Sequence, residues 1–473
     1  MDRAAITARY LEEVRERGAS AGELAGDLAG SESVLLNLFY PGIQYLSRPL
    51  FVTHQEASAL HADVETVRSV LVSLPERLYE GDFTAFARDA GAEGYEITAL
   101  AASRSRSVSP QARADLYEDA SGFQLMEFNM GSALGGMENA DVCRAMLRHP
   151  LLAEFAAAHQ LGYVDTMREQ VTNLRTATGF APGSAPVVAV TDWPSSYDRR
   201  LGPYMHQLAR RWREFGLDAH ACHIGELEVR GGRVWLAGRA VDIISRMFLL
   251  EYLLEPGAAE LMDPVLGAVA RGEVVMFTPL DSELYGSKAS LAMLSDERNR
   301  HLFSAAELAS IDRILPWTRT VRPGPVTLED GRRVDLLDYA SCHQDDLVLK
   351  PTLRYGGQDV LPGWQHQTSP GLWRDQLIKA QHGPFVIQRR IRPVPELFPG
   401  ERERPREGGA AEGGAAEGGA QTVPWIIAWG VYTGASGFGG IITMGGSVAS
   451  GLAVLNVSSG AHVGCCLWTR PEA

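Results

Sequence analysis

The residues that decide the fold read ARADLYEDASGFQLMEFNMGSALGG and span positions 112–136. Arg113 and Asp115 lie two residues apart, as do Glu127 and Asn129. A spacing of two puts both side chains on one face of a β-strand. The polar stretch EDASG between the two pairs is typical of a turn. The pattern therefore predicts a hairpin on which polar side chains converge.

Asp115, Glu127 and Asn129 offer hard oxygen ligands, which suit a Mg²⁺ ion that nucleotide phosphates also hold. Three glycines follow within residues 131–136, and they would let the backbone approach a ligand closely. A surface hairpin with scattered polar residues would have the same spacing. Spacing alone leaves both interpretations open.

A second motif, LVLKPTLRYGGQDVLPGW, spans positions 347–364. An apolar strand ends at Lys350, and the glycine pair Gly356 and Gly357 follows. A lysine can supply a point charge to a phosphate chain, and a glycine-rich turn can supply backbone N–H groups. The stretch is not a P-loop, because it lacks GxxxxGK followed by Ser or Thr. An ordinary hairpin with a surface lysine remains the alternative.

Two further cations lie at the ends of apolar segments. Lys288 begins the helical run of YGSKASLAML, where a lone lysine is most often solvated. Arg246 ends the strand AVDIISRMF and is a candidate anion binder, because its planar fork pairs with a carboxylate or phosphate. A structural ion pair between Arg246 and Asp242 is the alternative.

The bulk composition excludes several classes of partner. A net charge of −14 argues against nucleic acid, whose binding depends on clustered Lys and Arg. The longest apolar runs fall far short of the roughly 20 residues of a membrane helix, and the charged start MDRAAITARYLEEVRERG lacks a signal-peptide core. None of the five cysteines forms a CxxC pair, which favours reduced thiols. We expect a cytoplasmic protein.

The order of the motifs resembles a known family. ARADL and MEFNMGSALGG are followed far downstream by VLKPTLRYGGQDV, FVIQRRIRPVPELFP and GGIITMGGSVASGLAVLNVSSG. This pattern resembles circularly permuted ATP-grasp ligases, namely the synthetase domain of glutathionylspermidine synthase and eukaryotic-type glutathione synthetase. In ordinary ATP-grasp enzymes the metal-binding E-x-N follows the nucleotide-binding lysines, whereas here Glu127 precedes Lys350 by more than two hundred residues. The resemblance covers about residues 105–465.

The resemblance and the periodicity together predict an α/β (α+β) chain with a circularly permuted ATP-grasp fold. With 473 residues, the chain exceeds the roughly 250–300 at which one core stops growing. We expect a helical N-terminal region at 1–100, a first part of the ATP-grasp core with the hairpin at 101–182, a small central αβ substrate domain at 183–270 and a nucleotide-binding part at 271–473. A loop at 401–421 repeats GGAAE, offers no aromatic or branched apolar residue to bury, and is predicted to be disordered.

The resemblance implies roles for individual residues. Asp115, Glu127 and Asn129 match the family's Mg²⁺ ligands, and Arg113 matches the arginine that faces the substrate carboxylate or its acyl phosphate. The remaining matches are Lys288 and Lys350 at the ATP phosphates, Gly356 and Gly357 in the mobile loop over them, Gln388, Arg389 and Arg390 in the strand whose backbone meets adenine, Ser132 at the acyl substrate, and Arg246 in a substrate-facing strand.

The chain departs from the family pattern at two places. Leu353 and Arg354 occupy positions just before the glycine pair where close relatives often have an acidic residue. Thr443 and Met444 stand where many relatives carry a Thr-Arg pair, with the arginine on the reacting carboxylate. The second substitution points either to an altered substrate or to a weakened enzyme.

The resemblance implies an ATP- and Mg²⁺-dependent ligase that joins a small-molecule or peptide carboxylate to an amine through an acyl phosphate. Such a reaction needs positioning and charge neutralisation more than covalent catalysis. Two alternatives stay open. One is a nucleotide-binding module without catalysis, and the other is a different phosphoryl-transfer enzyme on the same fold.

Overall fold

The computed structural model describes residues 2–26, 28–31, 34–103, 108–132, 134–400, 421–452 and 454–470. The loop predicted at 401–421 lies outside the described residues, except for Gln421. Among the helices in the described ranges, none combines the length and the apolar character that a membrane crossing requires.

Helices and strands alternate along most of the chain. The helices are α1 (Arg3–Arg17), α2 (Ala21–Ala25), α3 (Leu36–Phe39), α4 (His54–Tyr79), α5 (Phe83–Asp89), α6 (Tyr95–Ser103), α7 (Asn139–Met146), α8 (Pro150–Ala158), α9 (Thr166–Thr178), α10 (Pro194–Ser196), α11 (Gly202–Glu214), α12 (Ala258–Ala270), α13 (Ser282–Tyr285), α14 (Lys288–Ser295), α15 (Ala305–Ile314), α16 (Leu336–Cys342) and α17 (Pro370–Ala380).

The strands are β1 (Leu50–Val52), β2 (Ala112–Asp119), β3 (Gly122–Asn129), β4 (Leu161–Gly162), β5 (Val187–Asp192), β6 (Asp218–His223), β7 (Glu228–Arg230), β8 (Arg233–Leu236), β9 (Arg239–Ala240), β10 (Ile243–Arg246), β11 (Val275–Phe277), β12 (Thr318–Thr320), β13 (Pro325–Thr327), β14 (Arg333–Asp335), β15 (Leu347–Pro351), β16 (Leu361–Pro362), β17 (Phe385–Arg389), β18 (Glu396–Pro399), β19 (Thr422–Gly434), β20 (Gly437–Ser447) and β21 (His462–Thr469).

The largest sheet joins the predicted hairpin to the end of the chain. Its strand order is β1-β21-β20-β19-β2-β3, with β18 paired to β19 and β4 paired to β21. The predicted β2–β3 hairpin is confirmed, and β2 pairs antiparallel with β19 so that Asp115 stands opposite Gly430. Residues more than three hundred positions apart thus share one backbone ladder.

One face of this sheet is covered by the long helix α4. Its apolar residues recur three or four positions apart, as an amphipathic helix requires, and Leu60, Val64, Val67 and Leu71 are buried. Thr53 and Glu56 form a capping box that fixes where the helix begins. Helix α4 packs on β19, β20 and β21, which leaves the opposite face free to line a site.

A central sheet of order β11-β10-β5-β6 contains only parallel pairs and lies largely in the region expected to form a small αβ domain. Helix α11 buries Tyr204, Leu208 and Trp212 in a cluster with strand residues of one face, and α12 packs on the other side. Strand β8 lies in the same part of the chain, but it pairs with β7 and β9 in a separate antiparallel sheet.

A third sheet of order β12-β17-β15-β16 carries the second motif. All of its pairs are antiparallel, and Lys350 of β15 lies opposite Val386 of β17. Trp317 and Trp373 anchor the apolar core beneath it.

The N-terminal region is helical, but it also contributes a strand to the main sheet. The short strand β1 pairs in parallel with β21, so Leu50 lies opposite Cys466. Three apolar residues between helical segments carry too little periodicity to predict such a strand.

The five cysteines are free, and Cys342 is exposed while the others are buried.

Gly430 provides the space in which the hairpin side chains lie. A Cβ atom at this position would come within 2.7 Å of Ile442 Cγ2, 3.0 Å of Arg113 Cδ and 3.2 Å of Asp115 Oδ1. We predict that Gly430→Ala lowers the free energy of unfolding by about 1–3 kcal/mol, because it overpacks a filled site. Chemical denaturation measures the change.

The matched control is Gly371→Ala in the first turn of α17, where the nearest atom to the added Cβ is Ser369 Oγ at 3.9 Å. This variant should keep or slightly raise the free energy of unfolding. Equal effects of the two alanines would contradict the packing explanation.

Candidate active site

One cavity of about 1080 Å³ lies between the main, central and third sheets. Most residues singled out from the sequence line it, namely Arg113, Asp115, Glu127, Asn129, Lys288, Lys350, Gly356, Gly357, Gln388, Arg389 and Arg390. Ser132 and Arg246 do not. The hairpin carboxylates and both lysines therefore open onto the same space.

The hairpin brings its four polar residues together as the spacing predicted. Asp115 stands directly opposite Glu127, and Arg113 stands opposite Asn129. Arg113 donates from Nε and Nη2 to the two carboxylate oxygens of Asp115, at 2.6 and 2.8 Å. Asn129 Nδ2 donates to Asp115 Oδ2 at 3.0 Å. Asp115 is thus held on both oxygens.

A β-bulge connects the hairpin to the third sheet. Asp115 pairs with Glu127 and Leu116 pairs with Leu125, so Met126 is the extra residue of β3. A bulged residue leaves the regular ladder, and the Met126 carbonyl accepts a hydrogen bond from Lys350 Nζ at 3.0 Å. Lys350 Nζ also donates to Gln388 Oε1 at 2.7 Å.

The second lysine approaches the same hairpin from α14. Lys288 Nζ lies 3.4 Å from Glu127 Oε2 and donates to the carbonyl of Arg354 at 2.9 Å. Both lysines are buried, whereas 28 % of the Glu127 side chain remains exposed toward the cavity. Glu127 therefore faces both a cation and open space.

The buried charges shift one another's pKa. Burial acts to raise the pKa of Glu127, but Lys288, Lys350 and Arg113 outweigh it and bring that pKa to about 2. Burial, together with the charge of Lys288, lowers the pKa of Lys350 to about 8, although Glu127 opposes the shift. Burial raises the pKa of Asp115 despite its pairing with Arg113. Three cations here face two carboxylates, an arrangement that suits an anionic ligand.

The donor set suits a Mg²⁺ ion that arrives with phosphates. Within the described ranges, no group of three or more His, Cys, Asp or Glu side chains could hold a metal by itself. Mg²⁺ is commonly bound through one or two carboxylates plus substrate phosphates and water. Glu127 and Asp115 provide two carboxylates, and the amide of Asn129 adjoins them. The residues fit a nucleotide-borne Mg²⁺ better than a resident ion.

The glycine pair forms a tight turn at the mouth of the cavity. Gly356 and Gly357 have φ angles of 63° and 75°, a left-handed conformation that glycine adopts without steric cost. The Gly356 carbonyl accepts a hydrogen bond from the Asn456 side chain. A Cβ atom at Gly357 would lie 3.1 Å from Val454 Cγ1. The turn thus rests on the segment before β21.

Arg246 does not face the cavity, contrary to expectation. Its side chain is fully buried and pairs with Glu283, which is also fully buried. Its N–H groups also donate to the carbonyls of Thr278, Phe248 and Pro279. The alternative pairing with Asp242 is also wrong, since Asp242 accepts the backbone N–H of Val187. The guanidinium N–H groups of Arg246 are thus bonded to backbone carbonyls and are not available to a substrate. Arg246 therefore has a structural role here.

Glu283, the partner of Arg246, also contacts the residue that precedes the glycine turn at 356–357. It accepts hydrogen bonds from the Tyr355 hydroxyl at 2.8 Å and from the backbone N–H of Leu250 at 2.9 Å. Tyr355 immediately precedes the glycine pair and lines the cavity. The central sheet and the turn are therefore linked through one buried carboxylate.

Ser132 is also a tie between elements. It is buried, and its hydroxyl lies 2.8 Å from the carbonyl of Phe248 and 3.2 Å from that of Met247. The contact joins the loop after the hairpin to the end of β10. In this conformation the hydroxyl does not reach the cavity, where the resemblance put it beside an acyl substrate.

Gln388 and Arg389 lie beside an apolar wall of the cavity. Arg389 makes a bidentate ion pair with Glu329 at 2.7 Å, and Gln388 Nε2 donates to Thr318 Oγ1 at 3.1 Å. Their side chains are thus engaged within the third sheet. The neighbouring lining residues Val348, Val360, Pro362, Trp364 and Ile391 are apolar, a kind of lining that can receive an aromatic base, and the Arg390 guanidinium lies over the Trp364 ring.

Two buried acidic residues of the cavity were not identified from the sequence. Asp192 ends β5 and Glu138 precedes α7, and each is about 1 % exposed. Burial raises the pKa of Asp192, while Ser196 and the Trp193 backbone lower it. Ligands of parallel sheets bind at the carboxyl ends of strands, so the acid that ends VVAVTD could have been noticed. Glu138 carries no such signal, since it looks like an ordinary residue at the start of a helix.

Of the four residues that depart from the family pattern or adjoin such a departure, one lines the cavity. Met444 lines the cavity, whereas Thr443 is fully buried. Leu353 packs against the main core, and Arg354 lies 3.4 Å from Glu251. The cavity therefore has an apolar side chain where the resemblance would place an arginine.

The fold resembles that of glutathione synthetase-like proteins. The structure of a glutathione synthetase-like effector from Globodera pallida, in the apo form, matches 94 % of this chain and 96 % of its own with a TM-score of 0.54 and 10 % identity. A proposed γ-glutamylcysteine synthetase from Methylobacillus flagellatus matches 85 % of each chain, with a TM-score of 0.39 and 11 % identity. No protein-family model and no curated protein matches the sequence. The first likeness defines a mixed α/β fold of this type.

The hydroxyl of Tyr355 should hold the glycine turn in place. We predict that Tyr355→Phe speeds hydrogen exchange at residues 353–358 about fivefold, equivalent to the ~1 kcal/mol of one hydrogen bond. Mass-spectrometric hydrogen exchange measures this rate. Tyr197→Phe, which removes a hydroxyl bonded to His206 outside the cavity lining, is the control. Unchanged exchange in Tyr355→Phe would contradict the link through Glu283.

Proposed function

We propose that this protein is an ATP- and Mg²⁺-dependent ligase that joins a carboxylate to an amine through an acyl phosphate. One observation carries the proposal. Glu127, Lys288 and Lys350 come from three distant parts of the chain, yet they line one cavity with the amide and carboxylate of Asn129 and Asp115 beside them. This charge arrangement suits a metal–triphosphate.

The apolar wall and the two lysines together suggest how the nucleotide would be oriented in this cavity. Its base would lie on the apolar wall beside Val348 and Trp364, near the backbone of Gln388 and Arg389. Its phosphates would lie between Lys288 and Lys350, under the turn at residues 355–357. Asp115, Glu127 and Asn129 would hold Mg²⁺, which supplies charge neutralisation during phosphoryl transfer.

Arg113 is the residue that would orient the reacting acid. A guanidinium has five N–H donors, of which Asp115 takes two and the Gly135 carbonyl takes one at 3.3 Å. The others can hold the substrate carboxylate as one of its oxygens attacks the γ-phosphorus of ATP. The turn at 355–357 would then exclude water, which would otherwise hydrolyse the acyl phosphate.

The proposal extends to the architecture. The circular permutation would assign the ATP-grasp core to residues 101–182 and 271–473, with the helical region 1–100 packed behind it. The central unit at 183–270 would contribute the site for the other substrate. The pairing of β2 with β19 supports this arrangement, because the two sequence segments complete one sheet.

A catalytically inactive nucleotide-binding module is the second candidate. It is favoured by Met444, which occupies the cavity where the resemblance expects an arginine. The two candidates differ in ADP release. A screen of amino acids, short peptides and polyamines, with hydroxylamine present to trap acyl phosphate, should release ADP for a ligase and should release none for a binding module.

Glu127 is the carboxylate most exposed to the proposed metal. We predict that Glu127→Gln reduces the Mg²⁺-dependent gain in ATP affinity about 10- to 100-fold, because it removes one charged ligand without removing volume. Calorimetric titration of ATP with Mg²⁺ or with a chelator measures the gain. The exposed Glu228→Gln on β7 is the matched control. A full Mg²⁺ effect in Glu127→Gln would exclude the metal assignment.

Lys350 is the proposed phosphate contact at the end of β15. Lys350→Ala should weaken ATP binding about tenfold or more, since it removes one charge-assisted contact. Fluorescence titration with a labelled ATP analogue reports the affinity, and the exposed Lys379→Ala in α17 should leave it unchanged. If both alanine variants bind the nucleotide like the native protein, Lys350 has no phosphate role.

A further inference from the structure

Glu138 is a buried carboxylate of the cavity that the proposed function does not yet use. It precedes α7, is 1 % exposed and lines the cavity. Among the described residues, the side chain that donates to it is that of Tyr204, whose hydroxyl lies 3.4 Å from Glu138 Oε2. Two carboxylate oxygens accept about four hydrogen bonds. Glu138 therefore has capacity left for a ligand.

The space around Glu138 is lined mainly by apolar and aromatic side chains, and one further cation, Arg200, lies over the Phe39 and Tyr40 rings at 5.1 and 5.4 Å. Phe39 packs edge-on against Tyr40 and Tyr204, with ring centroids 4.5 and 5.1 Å apart. We call this end of the cavity the Glu138 chamber, and its walls are Leu36, Phe39, Tyr40, Leu134, Met137 and Ile442. Met444 adds a further apolar side chain beside Ile442. Such walls fit an apolar group, with one polar group held at Glu138.

The surroundings of Glu138 bring its pKa close to neutral pH. Burial and then Asp141 raise the pKa of Glu138 to about 7, while Tyr204 and Arg113 lower it. Arg144 and Arg211 pair with Asp141 from α7 and α11. The other titratable groups facing Glu138 are Tyr40, Tyr45 and Tyr432, whose pKa values burial raises, so they stay neutral. No cation pairs with Glu138 among the described residues.

The chamber lies next to the proposed reacting centre. Arg113 Nη1 and the Tyr432 hydroxyl both donate to the carbonyl of Gly135, three residues before Glu138. Gly136 faces Tyr432 and Ile442 so closely that a Cβ atom would come within 2.4 Å of each. A substrate in the chamber would thus lie beside a carboxylate that Arg113 orients.

We propose that Glu138 binds the ammonium group of an amine substrate whose remaining part is apolar, and that it accepts a proton from this ammonium before the amine attacks. This inference rests on the proposed ligase function and names the class of its second substrate. A buried carboxylate among apolar walls suits such an amine, because the ammonium needs a counter-charge and its apolar substituent needs none.

The proton transfers balance as follows. The ammonium nitrogen gives one proton to a Glu138 oxygen and keeps the electron pair of that N–H bond. This pair attacks the carbonyl carbon of the acyl phosphate, so a C–N bond forms while the bond from carbon to the phosphate oxygen breaks. The leaving phosphate takes the second nitrogen proton and departs as hydrogen phosphate. Glu138 then returns its proton to water.

The experiment compares the native protein, Glu138→Gln and the matched control Glu96→Gln. Burial also raises the pKa of Glu96 to about 7, but Glu96 does not line the cavity. ADP release is measured across the acid panel with 2-phenylethylamine, with putrescine, or with hydroxylamine, which is small and largely unprotonated at neutral pH. Calorimetry measures binding of 2-phenylethylamine itself.

For Glu138→Gln we expect kcat with 2-phenylethylamine to fall about 100-fold, while ADP release with hydroxylamine persists. Binding of 2-phenylethylamine should weaken about tenfold. In the native protein, kcat/KM for 2-phenylethylamine should fall as the pH drops below about 7 and Glu138 takes up a proton, and Glu138→Gln should lose this dependence. Glu96→Gln should behave like the native protein. Putrescine should be at least tenfold poorer than 2-phenylethylamine.

The experiment distinguishes a failure of the proposed ligase function from a failure of the proposed role of Glu138. If the native protein forms no hydroxamate with any acid, the ligase function is wrong, and the calorimetric comparison still decides whether Glu138 binds the amine. If Glu138→Gln ligates and binds 2-phenylethylamine like the native protein, the role of Glu138 is overturned. Preference for putrescine would overturn the apolar class of the amine.

Discussion

The hydrogen bond from the Lys350 ammonium to the Met126 carbonyl is the contact on which the site depends. It exists because one extra residue in β3 takes that carbonyl out of the regular ladder. The same bulge keeps Glu127 opposite Asp115, where it meets Lys288. Two lysines from separate parts of the chain thereby converge on one hairpin. Without that bulge the Lys350 ammonium would lose its acceptor on the hairpin, and the weaker contact from Gln388 Nε2 to the Leu125 carbonyl, at 3.4 Å, would remain.

The hairpin in turn depends on the main sheet. Pairing of β2 with β19 places Asp115 opposite Gly430, whose missing side chain leaves room for the Arg113–Asp115 ion pair. Burying three cations with two carboxylates is unfavourable unless a ligand balances them, and the lowered pKa of Lys350 reflects this. A site built for an anion is expected to carry such a cost in its empty state. The excess of buried cations over carboxylates therefore indicates an anionic ligand.

The sequence predicted the local features well. The alternation of Arg113 and Asp115, and of Glu127 and Asn129, was enough to predict the hairpin, because strand periodicity acts within a few residues. Other predictions were wrong because they depend on tertiary contacts. Arg246 ends an apolar strand as expected, yet backbone carbonyls and Glu283 surround it, and no local pattern reveals such partners. The chamber at Glu138 also arises from segments that meet only in the folded chain.

The most direct measurement is a crystal structure of the protein with Mg²⁺ and a non-hydrolysable ATP analogue. The account predicts a metal ion against the carboxylates of Asp115 and Glu127, triphosphate oxygens at the ammonium groups of Lys288 and Lys350, and the turn at 355–357 above them. A nucleotide bound elsewhere, or bound here with its phosphates directed away from both lysines, would contradict the account.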